Sequence, residues 1–129
     1  MNGNFGEFRV PGSDGMGLRV LKPEQLAKVL AAHRHWVESE SREGKRADLF
    51  GTDLIEANLS GVNFRGCVLA GVNLRGANLR DAEGLTLSQL RFARDWELAF
   101  YSEVMLGKLS LPYDHNDRVR GKLGIYPDS

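Results

Sequence analysis

The sequence predicts an all-β solenoid core with helical caps, and three observations predict it. A large apolar residue returns every five positions from Leu49 to Leu79, a small residue stands two places ahead of each, and helical signals flank the run on both sides. A helix would carry a period-five residue round by about 140° per repeat and spread it over every face, while a flat strand would alternate it between faces. The period therefore calls for a repeating turn unit.

Seven centres hold the register: Leu49, Leu54, Leu59, Phe64, Leu69, Leu74 and Leu79, the expected structural core, before Gly84 interrupts it. Two places ahead stand Ala47, Thr52, Ala57, Val62, Cys67, Val72, Ala77 and Ala82, so two positions in each unit are chosen by size. Between them come Asp48, Asp53, Asn58, Asn63, Asn73 and Asn78, with Val68 and Glu83 as exceptions. Such short polar side chains bond nearby backbone in turns. Glycine closes the unit at 51, 61, 66, 71 and 76. Two inward positions in five suit one side of a square coil, and such units stack because none can bury its own apolar face.

The units ADLFG, ANLSG, VNFRG, VNLRG and ANLRD resemble the A(D/N)LXX unit of the pentapeptide-repeat family. That resemblance implies a right-handed quadrilateral β-helix with four units per coil, so the eight units from 47 to 86 would make about two coils. Residues twenty apart would then stack, Leu49 over Leu69 and Leu54 over Leu74, with Cys67 a small filler beside Ala47. The preceding REGKRAD resembles the lead-in of other small bacterial members, where a helix with His and Trp comes before the repeats.

Four regions follow in one folded domain. Residues 1–20 are Gly-rich without a sustained period and are expected to be a flexible arm, qualified by the apolar Phe5, Phe8 and Val10. Residues 21–45 hold a capping helix: Pro23 suits a first helical position, and Leu26, Val29, Leu30, His33 and Val37 form a stripe with Trp36 beside it. Residues 46–86 are the repeats. Residues 87–129 are a second cap with short helices, where Thr86 and Gln89 form a capping box, Ser102 and Asp114 suit N-caps, and DWELAFY reads as extended. Caps are needed because two coils are only about 10 Å thick and open ends invite edge-to-edge association.

Charge and composition narrow the function. Seventeen basic and seventeen acidic residues leave a formal net charge of zero, which argues against a nucleic-acid partner. No apolar run reaches spanning length, the opening has no signal-peptide pattern, and Cys67 is the only cysteine, so a cytoplasmic protein without a membrane span is expected. No cofactor or metal site is expected, because His33 and His35 diverge on a helix and His115 lies far along the chain. Arg65, Arg75 and Arg80 fall on different sides and read as solvated charges rather than a stripe for phosphates.

Phe50 and Ile55 break the polar rule of the outward positions and form the candidate partner surface, unless the chain's own arm or C-terminal segment covers them. The expectation is a non-catalytic protein-interaction or scaffold module, with a protein partner and a homodimer as the associations to test. Two alternatives stand beside it. A DNA-mimicking regulator of gyrase would need a long acidic rod, whereas Asp48, Asp53, Glu56, Asp81 and Glu83 are interleaved with arginines; an enzyme would need its site in the C-terminal third.

Overall fold

The computed structural model describes residues 19–125. Its centre follows from one turn, repeated. In each unit the carbonyl of the large apolar residue accepts the N–H three residues on, as from Thr52 to Leu49 at 2.9 Å, Ala57 to Leu54 at 3.1 Å and Val72 to Leu69 at 3.1 Å. The third turn residue has positive φ, 65° at Gly51 and 72° at Gly71, the mark of a type II turn and the reason glycine closes the unit. Glu56 and Asp81 take the same backbone at 59° and 61° without glycine's freedom.

The short polar position completes the corner. Oδ1 of Asp48, Asp53, Asn58, Asn63, Asn73 and Asn78 accepts the N–H two residues on, at 2.9–3.2 Å. The same residues also join one tier of turns to the next. Parallel bridges link Asp48 to Val68, Asp53 to Asn73, Asn58 to Asn78 and Asn63 to Glu83, all at an offset of twenty.

The predicted all-β core, a right-handed quadrilateral β-helix of about two coils, is corrected here. Among the described residues there is no β-strand, sheet or barrel; the bridges are isolated and the regular elements are helical. The reason is economy of residues. Each hydrogen-bonded turn takes four of every five positions, which leaves one residue per unit to pair and never a run. The result is a pile of turns rather than an all-β solenoid. Its interior is apolar but for one hydroxyl: Leu49, Leu54, Leu59, Phe64, Leu69, Leu74 and Leu79 are all buried, together with Ala47, Cys67, Val72 and Ala77, and Thr52 is buried among them with its Oγ1 unpaired among the described residues.

Helix α1, Pro23–Glu38, lies against the first tier. Pro23 occupies a first-turn position, where its missing N–H costs nothing, and Lys22 N–H donates to Gln25 Oε1 at 2.8 Å. Leu26, Val29 and Leu30 pack on the core, and His33 is fully buried. The chain then returns along the helix, with Lys45 N–H donating to Ala32 O at 3.1 Å. Of the proposed arm only Arg19 and Val20 are described, and Arg19 bridges Thr52; Phe5, Phe8 and Val10 lie outside the described residues.

Beyond the repeats comes α2, Leu87–Leu90, opened by the expected capping box: Thr86 Oγ1 accepts from Gln89 N–H at 3.2 Å and Gln89 Oε1 from Thr86 N–H at 2.9 Å. Gln89 then does what the sequence did not suggest. Its Nε2 donates to Phe64 O at 2.9 Å and Cys67 O at 3.0 Å, satisfying backbone beside the place where the register ends. Gln89→Leu keeps the size and removes both bonds and the side-chain half of the box, so a loss of about 2 kcal/mol in denaturant unfolding is expected.

Residues 92–100 add part of a third tier. Leu74 N–H donates to Arg94 O at 2.9 Å and Leu79 N–H to Phe100 O at 2.8 Å. The bridges 73 to 94 and 78 to 100 have drifted from the offset of twenty to 21 and 22. DWELAFY is therefore not one extended segment: Trp96–Leu98 is a single 3-10 turn before Ala99 extends. Helices α3, Glu103–Lys108, and α4, His115–Leu123, follow. Ser102 and Asp114 hold the N-cap positions but make no side-chain capping bond; Asp114 instead pairs with Arg118 at 2.9 Å.

Candidate interaction surface

The type II turns point their second residue outward, and that position carries Phe50 and Ile55. Asp48 Oδ1 holds Phe50 N–H and Asp53 Oδ1 holds Ile55 N–H, each at 3.0 Å, so both side chains stand on braced corners. Arg19 reinforces the first by donating to Phe50 O at 3.3 Å. Phe50 is 59% exposed and Ile55 38%. Neither is covered by the C-terminal segment.

Ile55 also flanks an apolar groove of about 440 Å³ between α1 and the first tier, lined by Leu21, Pro23, Leu26, Leu30 and Leu54 among others. The charged corners behave differently from one another. Arg65 and Arg75 are exposed, but Arg80 stacks 5.0 Å from the Phe100 ring, which Arg120 approaches at 5.8 Å. Arg80 is thus a packing residue rather than a solvated charge.

Most of the groups that could do chemistry are buried or hydrogen-bonded, although His33 Nε2 is buried without a partner among the described residues. Cys67 is buried, and burial pushes its thiol up to about 12, with Asp48's charge adding to the shift, so almost no thiolate forms near neutrality. His33 Nδ1 accepts from Ala47 N–H at 2.9 Å, and its ring stacks on Trp36 at 5.5 Å. His115 Nε2 donates to Ala99 O at 2.9 Å. Tyr101, fully buried, donates its hydroxyl to Trp96 O at 2.6 Å, and burial raises its pKa well above the usual range. Asn116 locks it from the side, accepting Tyr101 N–H at 3.1 Å and donating to Tyr101 O at 2.8 Å. His35 pairs with Glu43 at 2.8 Å on the surface. Among the described residues no group of three His, Cys, Asp or Glu could hold a metal ion, and no helix is long and apolar enough to cross a membrane.

Phe92, Val104 and Tyr113 are exposed residues that sequence reasoning did not single out. Phe92, 66% exposed, comes to the corner of Phe50, because Gly51 N–H donates to Ala70 O at 3.0 Å and Gly71 N–H to Phe92 O at 2.8 Å. Only the slip of the register after Gly84, where Leu85 comes one place late, hinted that the chain makes another turn there.

Stacked five-residue turns with size-selected interiors and variable corners define a repeat protein. The family model described as pentapeptide repeats matches residues 46–83 in eight copies, so that segment consists of pentapeptide repeats. No curated protein and no solved structure matches the chain.

Proposed function

We propose that this chain is a non-catalytic, cytoplasmic protein-interaction module and that Phe50 and Ile55 carry its partner surface. One observation supports this most: two large apolar side chains stand exposed on braced successive corners, the second beside an apolar groove. Exposed apolar neighbours on a small fold, which needs all its burial, mark a contact rather than an accident of composition. The occupant is a protein segment with apolar side chains. An enzyme in the C-terminal third is the weaker reading, since the side chains of Tyr101, His115 and Asn116 are each spent on backbone groups. Gyrase regulation by DNA mimicry is weaker still, given a net charge of zero.

The test is capture from a native lysate read by mass spectrometry, with the Phe50→Asp/Ile55→Asp variant alongside after a check that it melts cooperatively. A protein held by the wild type and lost by the folded variant is the expected result. The same recovered set from both would overturn the assignment of this face, and stoichiometric inhibition of gyrase supercoiling would favour mimicry instead.

A further inference from the structure

The corner that carries Phe50 has a shape that fits itself. Its lowest tier presents Phe50 and Gly51, its middle tier Ala70 and Gly71, and its third tier Arg91 and Phe92, held in register by the bonds from Gly51 and Gly71. Phe50 and Phe92 are exposed, and the tier between them carries only a methyl group and a hydrogen. Tiers bridged by backbone hydrogen bonds are about 4.8 Å apart, so the two phenylalanines sit about 10 Å apart around a notch one tier high. That gap takes one more ring at about 5 Å from each, within the range at which aromatic rings pack.

We propose that two copies of this chain associate through this corner, each placing Phe92 in its partner's notch against Ala70 and Gly71. A two-fold axis lying between the second and third tiers brings this about. With the piles antiparallel and offset by one tier, Phe92 faces the partner's Ala70 while the partner's Phe92 faces Ala70. The rings then alternate in the order Phe50, the partner's Phe92, Phe92, the partner's Phe50. Such an isologous contact closes on itself and stops at a dimer. Arg91, whose guanidinium lies 5.6 Å from its own Phe92 ring, swings aside to free that face for the partner, and a net charge of zero gives two copies no overall repulsion. Four rings bury far less than the roughly 1,200 Å² of a standard interface, so the association is weak and concentration-dependent. The proposal rests on this face being an interaction surface and names a second copy as its occupant.

Sedimentation velocity of the full chain over a hundredfold range of concentration tests it. The wild type is expected to pass from monomer to dimer, and Phe92→Ala to weaken that association tenfold or more. Ala70→Leu is the decisive variant. It adds exposed apolar surface at a turn position where Phe50 and Ile55 are already accommodated, yet fills the notch, and is expected to weaken the dimer as strongly. A wild type that stays monomeric throughout, or an Ala70→Leu variant that associates as well as the wild type or better, overturns the proposal. Failure of partner capture is separable, since Ile55→Asp alters the neighbouring corner and is expected to leave self-association unchanged.

Discussion

Gly44→Ala is expected to cost about 3 kcal/mol or more and to lower the melting temperature by roughly 15 °C, or to prevent folding altogether. Gly44 lies in the return from α1 to the first repeat, with φ at 75°, and a Cβ built there meets Trp36 N at 2.6 Å and the Ala32 carbonyl closer still. Both neighbours are helix backbone, which cannot give way as a side-chain tip can. Left-handed backbone costs a residue with a Cβ about 1 kcal/mol, and the clash adds the rest. Gly61→Ala separates the two contributions, since φ is also 75° there but nothing lies within 4 Å. About 1 kcal/mol is expected for it. Equal losses in the two variants, measured by denaturant unfolding, would mean that the close seating of α1 contributes nothing.

The second large effect is at His33. Its folded-state pKa is lowered from the usual 6.5, first by burial and then by the charge of Arg46, against an opposing influence from the Arg65 backbone. A depressed pKa means that the unfolded chain takes up the proton more readily. Stability from His33 is therefore complete above about pH 6.5 and is lost as pH falls through the lower folded value. The structural cause is direct: protonation at Nδ1 removes the acceptor of the buried Ala47 N–H. The melting temperature should fall between pH 7.5 and 5, above the ordinary carboxylate range. His33→Leu should cost about 2–3 kcal/mol at pH 7.5, through the orphaned amide and the lost stacking on Trp36, and should flatten the slope. An unchanged slope in a folded variant would assign the pH response to other groups.

What was legible in the sequence was the choice by size. Leu at the centre, Ala or Val two places ahead and Asn or Asp between them each answer one local demand: an interior slot, a second slot, a bond to the corner amide. The absence of strands was written in the same residues. Glycines at the fifth position announce positive φ, and a turn in every unit leaves only the Asn or Asp position to bridge. Period alone does not convey this, because a coil of strands and a pile of turns share it.

The remainder depends on contacts that a short pattern cannot carry. Gln89 was visible as half of a capping box, but its second pair of bonds reaches Phe64 and Cys67, more than twenty residues away. The third tier was hidden because its offset drifts, so that Phe92 and Phe100 fall out of the count. Ser102 and Asp114 stand at N-cap positions without capping, since the residue type sets the place and not the rotamer; Arg118 draws the Asp114 carboxylate away. Phe50 and Ile55 were legible because they break the polar rule. Phe92 was not, because no rule remained for it to break.

Side-by-side partner capture by the wild type, Phe50→Asp/Ile55→Asp and Tyr101→Phe is the most direct test of where the function resides. Tyr101→Phe removes the hydroxyl held by Trp96 O while keeping the ring. The expected result is capture by the wild type and Tyr101→Phe, with loss only in the corner variant. Capture that survives in the corner variant and disappears in a folded Tyr101→Phe protein would contradict the account and move the site to the C-terminal third.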